Sequence, residues 1–207
     1  AHSTATDYTL TIPAATDTVA AIAATQTLTN KTLTSPTITG ASISSMSSSV
    51  ITSGTSQNST SGTNIDFSSI PSWVKRITVM FNGVSISAAG IPALRLGTAS
   101  GVETTGYFSI AEGINTAGTT SAVASSTTFL NIINLAAGTD LFYGSVILTT
   151  MGSNIWTMMG SLGRSGSTDA MYSCTGAKTL ADILTTVRIT TVGGQSFDAG
   201  SINILYE

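Results

Sequence analysis

Glu103, Glu112, Asp140, Asp169, Asp182 and Asp198 are the side chains whose type and spacing could support acid–base chemistry in this sequence. Glycoside hydrolysis needs two carboxyl groups, one to protonate the leaving oxygen and one to act as base or nucleophile. All six fall at predicted turns or strand ends, where carboxylates are readily solvated and Asp closes Asx-type turns. No catalytic residue is therefore assigned. Nucleophilic chemistry is equally unsupported, because the chain has one cysteine, Cys174, and one histidine, His2, far apart in sequence. A thiol or hydroxyl nucleophile needs a base within hydrogen-bond reach. One Cys and one His do not make up a zinc set, and the acidic loops lack the ordered Asp spacing of a calcium site, so neither metal nor cofactor is expected.

Binding without chemistry fits the composition better. A saccharide is held by an aromatic ring against its apolar face, with amide, hydroxyl or carboxylate groups reaching its hydroxyls. Two sets of residues suit this: Tyr107, Glu112 and Asn115 near one loop region, and Arg164, Asp169 and Tyr172 near another. The competing reading of Tyr107 and Tyr172 is half-buried strand tyrosines with solvated hydroxyls. Trp73 and Trp156 adjoin apolar alternations and read as core or interface anchors. In WTMMG, Trp156 and Met158 face one way, and Thr157 and Met159 the other. Apolar side chains on both faces suggest that one face meets the chain's own core and the other a neighbouring subunit.

The elements that must position these residues are strands. Ser and Thr make up roughly a third of the 207 residues, and charged residues only 8%, against about 25% in an ordinary soluble protein. Threonine among Val and Ile favours a pleated surface. Alternating runs predict strands at 74–81, 93–97, 128–135, 141–150, 154–162, 187–191 and 201–206, with weaker ones at 106–111 and 169–174. Asn82-Gly83, Gly138-Thr139 and Gly193-Gly194 read as turns, and from Asn64 onward only 177–185 invites a helix, capped by Thr179. The pattern predicts an all-β antiparallel sandwich of jelly-roll type.

Residues 1–63 differ, with Asp7, Asp17 and Lys31 as their only charges and Tyr8 as their only aromatic. Such a segment buries too little to order itself. Residues 8–12 read as a short strand and 17–24 as a possible short helix. Association of identical chains would bring Val19, Ile22 and Leu28 together near an axis, with Leu33 and Ile38 following. The rival reading of 44–63 is a Ser/Thr linker without fixed structure. The expected organisation is a shaft or attachment segment over 1–63 and a sandwich head over 64–207. Seven Lys and Arg and a net charge of −3 leave no basic stripe for nucleic acid. No window reaches the roughly 18–20 apolar residues of a spanning helix, so no membrane insertion is expected.

The stretch TLTNKTLTSPTITG, ending at Gly40, resembles a linker that recurs in tail fibres of tailed bacteriophages. Two further segments, SIPSWVKRITVMFNGVS (69–85) and FDAGSINILYE (197–207), are similar to the opening and closing strands of the globular domain at the tip of such fibres. The resemblance covers about a fifth of the chain. It implies a homotrimeric virion protein, assembled in the bacterial cytoplasm, that joins other tail or baseplate proteins through its N-terminal segment. Its head would adhere to a host surface glycan or protein receptor. Polysaccharide-cutting tailspikes are usually long β-helices, and this chain shows no coil repeat, so an enzyme is not expected. The alternatives are a non-adhesive structural fibre or adaptor of the head, collar or baseplate, and a secreted carbohydrate-binding module. An N-terminus lacking both Met and the order of a signal peptide reads as a trimmed chain or a fragment of a longer fibre.

Overall fold

A computed structural model describes residues 51–207 together with Thr32 and Thr34. The chain divides into two units, Ala1–Met46 and Ser47–Glu207, and the described strands lie in the second. The expected strand at 8–12, the expected helix at 17–24 and the interface candidates Val19, Ile22, Leu28, Leu33 and Ile38 lie outside the described residues.

The described strands are β1 (Thr52–Ser53), β2 (Gln57–Asn58), β3 (Asn64–Phe67), β4 (Arg76–Ile86), β5 (Ile91–Thr98), β6 (Gly101–Val102) and β7 (Tyr107–Asn115). They continue with β8 (Thr120–Ser126), β9 (Leu130–Asn131), β10 (Leu141–Gly152), β11 (Ile155–Ser165), β12 (Ala170–Thr179), β13 (Thr186–Val192) and β14 (Phe197–Tyr206). Nine form one antiparallel sheet in the order β1-β14-β4-β10-β11-β12-β7-β8, with β2 also pairing β14. The other five form a smaller antiparallel sheet, β3-β13-β5-β6, with β9 on β5.

Period-two alternation explains how the sheets meet. In β4, Ile77, Val79 and Phe81 are buried, and on β14, Ile202 and Ile204 sit beside them. Facing them, the small sheet contributes Ile65 and Phe67 of β3, Leu94 and Leu96 of β5, and Val187 and Ile189 of β13 to the same apolar cluster. Two sheets sharing one core make the fold sandwich-like and all-β, as the strand pattern predicts. The Phe81 and Phe142 rings, 5.1 Å apart and tilted by 45°, join β4 to β10 inside it.

Four sequence expectations change. Residues 177–179 are the end of β12 and not the start of a helix, because Ala177 and Lys178 pair with Phe108 and Tyr107 on one side and with Thr157 and Trp156 on the other. A full ladder on both edges outweighs a weak capping signal. Asn82-Gly83 does not turn the chain. It lies within β4 at a bulge, where Val84 pairs Phe142 and Phe81 pairs Gly144, with Gly83 at φ 61°. The extra residue needs the left-handed conformation that glycine adopts without penalty. Opposite it, a Cβ on Gly200 would stand 2.3 Å from the Gly83 carbonyl oxygen, so two backbones touch there. The boundary at 63/64 falls inside the folded unit, because Thr52 pairs Tyr206 and Gln57 pairs Ile202. Finally, of the interface candidates Trp156, Met158 and Met159, the first two, at 5% and 2% exposure, belong to the chain's own core and present no surface to a neighbour, while Met159 is 64% exposed.

A jelly roll is a pair of Greek keys, whereas β10, β11 and β12 follow one another as a meander within the large sheet. Strand direction gives that sheet two distinct ends. The chain enters where Thr52 meets Tyr206, beside Arg76 at the start of β4. The far end carries Ile86, Leu141, Ser165, Ala170 and Asn115.

Candidate functional site

At that far end, alternation along β11 turns Arg164 inward, in phase with Met158 and Leu162. A guanidinium at the rim of an apolar core must be hydrogen-bonded. Its Nε donates to the Thr168 carbonyl at 2.9 Å, and Nη1 donates to the Asn134 carbonyl at 2.9 Å and to the Tyr172 hydroxyl at 3.1 Å. The Tyr172 ring lies below it, its centroid 5.6 Å from the guanidinium carbon. A Cβ on Gly113 of β7 would come within 2.4 Å of that ring, so the position admits only glycine.

Asp140 stands 3.9 Å from Arg164 Nε and is wholly buried. Its Oδ2 accepts from the N–H groups of Ala136 and Ala137 at 2.8 and 3.0 Å, and its Oδ1 from the Ser167 N–H at 2.7 Å. Burial alone would raise the pKa of Asp140. The hydrogen bonds from the Ser167 N–H and hydroxyl, and from Ala137 and Ala136, outweigh burial and hold the carboxyl below its ordinary range. The result is a clasp joining the loop before β10 to the loop between β11 and β12.

Above the clasp, on the outer side of the sheet, is an open cavity of about 460 Å³. Its wall includes Tyr143 of β10, which is 42% exposed. Tyr143 faces Gly163 on β11, and no atom lies within 4 Å of the place a Gly163 side chain would begin, so the ring is open on that flank. Ile114 and Met171 supply further apolar surface, and the exposed Thr116, Ser165 and Asp169 a polar rim. Asn115 also borders the cavity. Its Oδ1 accepts from the Ala117 and Thr119 N–H groups at 3.0 and 2.9 Å, an Asx arrangement that shapes the β7–β8 turn. Asp169 ties the β11–β12 turn, its Oδ1 accepting from the Gly166 N–H at 3.3 Å.

Of the six residues expected to bind, the structure thus brings Asn115, Arg164 and Asp169 together. Tyr172 is fully buried beneath them and offers no ring to a ligand. Tyr107 is at the opposite end of β7 from Asn115, about 26 Å away at strand rise. Glu112 points outward in mid-strand, opposite Ser173. The ring that does line the cavity, Tyr143, was absent from both expected sets. The available signal was parity: counting back from the inward Leu148 and Val146 places Phe142 inside and Tyr143 outside.

Tyr107 anchors a second polar cluster at the chain-entry end. Its hydroxyl accepts from the Leu96 N–H at 2.9 Å and donates to the Glu103 carbonyl at 2.8 Å. Burial pushes its phenol up to about 12. Lys178, 6% exposed, is ion-paired with Glu103, donates to the Thr179 carbonyl at 2.8 Å and stands 5.2 Å from the Tyr107 ring centroid. Burial would raise the pKa of Glu103, but the Lys178 hydrogen bond and the Ala181 N–H lower it. Asp182 accepts from its neighbour Ile183, and Asp198 is exposed on β14. Cys174 is buried, which raises its thiol to about 12. Among the described residues no three His, Cys, Asp or Glu side chains gather as a metal set.

The chain matches no protein-family model, no curated protein and no solved structure. Function rests on geometry and on the linker resemblance. The far-end cavity combines an exposed ring, an apolar flank and a hydroxyl and carboxylate rim, within the roughly 300–1,000 Å³ range of small-ligand sites.

Proposed function

We propose that this chain is a bacteriophage tail-fibre protein whose C-terminal head adheres to a host-cell surface saccharide through the Tyr143 cavity. The observation that carries the reading is the cavity's place: it opens at the end of the large sheet farthest from where the chain enters, between loops clasped by Asp140 and Arg164. A binding surface at the tip of a fibre needs that placement. Tyr143 stacks on the apolar face of a sugar ring, and Asp169, Ser165 and Thr116 accept from or donate to its hydroxyls.

In this reading three chains share a shaft built from the N-terminal segment. Their heads are relatives of the jelly roll in which the β10–β11–β12 meander widens one sheet. The protein is assembled in the bacterial cytoplasm and carried on the virion tail. Three weak sites on one tip raise avidity by about 10²–10⁴ over a single site. Binding of the full chain to intact bacteria and to a saccharide array tests the proposal. Retained signal in Tyr143→Ala, or none in the parent chain across hosts, contradicts it. The rival, a virion adaptor docking another phage protein, draws on the exposed apolar side chains of the large sheet's outer face.

A further inference from the structure

We infer that the Tyr143 cavity is one end of a groove running along β11, and that this groove takes an extended, uncharged oligosaccharide and not a single sugar. The inference rests on the saccharide reading and adds the length and charge of the ligand. The outward positions of β11 are Ser165, Gly163, Ser161 and Met159, all exposed. The first three are small and the fourth is large, so about 20 Å of strand forms a trough closed by Met159. Register supplies the walls. Tyr143 of β10 and Met171 of β12 flank Gly163, and Ile147 and Thr175 flank Met159. Between those pairs, Ser145, Ser161, Ser173 and Glu112 form one row straight across β10, β11, β12 and β7. A second cavity of about 460 Å³ lies over the three serines. The two cavities are lined by consecutive outward positions of the same strands: Tyr143 then Ser145, Gly163 then Ser161, and Met171 then Ser173.

Three observations select the ligand. Size is the first. Each cavity alone falls within the roughly 300–1,000 Å³ range of a small-ligand site, so one ligand filling both is a chain of units. Hydrogen bonding is the second. Inward serines are already bonded, the Ser59, Ser85 and Ser109 hydroxyls donating to the Ala199, Gly138 and Phe129 carbonyls. Among the described residues, the Ser145, Ser161 and Ser173 hydroxyls have no such partner in the chain. They are left to meet ligand hydroxyls, which like them both donate and accept. Charge is the third. Glu112 is the only charged side chain pointing outward on these four strands, and Asp169 is the exposed charge at the rim of the Tyr143 cavity. The cation beneath that cavity, Arg164, faces Asp140 at 3.9 Å. Both outward charges are negative, so a glycan carrying carboxylate or phosphate groups meets like charge along the groove, whereas a neutral one meets hydroxyls. Tyr143, Ile147 and Met159 offer apolar surface to the carbon faces of its rings.

The test measures dissociation constants of the full chain for a ladder of one to six sugar units, cut from the saccharide that the array selects. A second ladder has the same units oxidised at their primary hydroxyls to carboxylates. Affinity for the neutral ladder should rise by about tenfold from one unit to four, as expected for one or two added hydrogen bonds, and the oxidised ladder should bind more weakly at every length. Ser161→Trp, whose ring fills the furrow from outside, should bring the four-unit chain to within about twofold of one unit. It should leave the affinity for one unit unchanged, which also reports an intact head. Glu112→Lys should strengthen binding of the oxidised ladder by about threefold. Affinity independent of length overturns the inference, and so does a parent chain that prefers the oxidised ladder or a Ser161→Trp chain that still distinguishes four units from one. Flat affinity that is lost in Tyr143→Ala would remove the groove and leave the adhesin reading standing. A length dependence lost in Ser161→Trp yet unchanged in Tyr143→Ala would keep the groove and remove the Tyr143 stacking of the proposed function.

Discussion

The two ends of the large sheet carry clusters made from the same parts. At the far end are a carboxylate, a cation and a buried tyrosine in Asp140, Arg164 and Tyr172; at the entry end are Glu103, Lys178 and Tyr107. In each, the cation lies near the tyrosine ring, at 5.6 and 5.2 Å. The first borders the open cavity lined by Tyr143. The ion-and-tyrosine cluster is therefore a way of holding strands and loops together, and it becomes part of a binding site only where an outward ring, Tyr143, and an outward glycine, Gly163, stand above it. Titratable side chains locate both clusters; solvent-facing shape tells them apart.

That contrast is broken most strongly by Asp140→Ala. The substitution leaves Arg164 without its carboxylate and strips acceptors from the N–H groups of Ala136, Ala137 and Ser167. A loss of about 3 kcal/mol is expected in urea unfolding, with the distal loops loosened and ligand binding lost too. At the other end, Tyr107→Phe deletes the hydroxyl that serves the buried Leu96 N–H. It should cost about 1–2 kcal/mol and leave binding at the cavity unchanged. If Tyr107→Phe abolishes binding, the two ends are not independent.

Acid should weaken both ends together. Asp140 and Glu103 each ionise at a lower pH in the folded chain than in the unfolded one. Their stabilisation is complete above the ordinary carboxylate range and is lost as pH falls through about 4 and below. A thermal melt at pH 3 should fall short of one at pH 6 by about 2–4 °C for each kcal/mol lost. Asp140→Asn should remove part of that slope. A melt that rises on acidification would contradict the assigned shifts.

How much of this was legible in the sequence follows from the parity of strands. Ile77, Val79 and Phe81, and Ile202 and Ile204, could be read as inward rows because alternation alone decides them, and they are buried. The bulge at Gly83 could not, since Asn-Gly signals a hairpin equally well, and only the β10 and β14 ladders on either side fix its place within β4. The same limit applies to the helix expected at 177–185, where pairing on two edges overrides a local cap. For the site, residue type found Asn115, Arg164 and Asp169, because turn-forming and inward-bonding polar groups cluster where strands end. It misplaced Tyr107 and Tyr172, because an aromatic platform and a buried hydroxyl anchor share one residue type. Burial distinguishes them, and burial depends on which strand lies alongside.

Tyr143→Ala has the smallest effect on stability, within about 0.5 kcal/mol for an outward side chain, and is the most direct probe of the central claim. The decisive measurement is binding of the full chain, beside Tyr143→Ala and Tyr107→Phe, to the same array of bacterial surface saccharides. The account predicts binding by the parent chain and by Tyr107→Phe, and a loss of about tenfold or more in Tyr143→Ala, as expected for about 1.4 kcal/mol of stacking. Equal binding by the parent chain and Tyr143→Ala would contradict it.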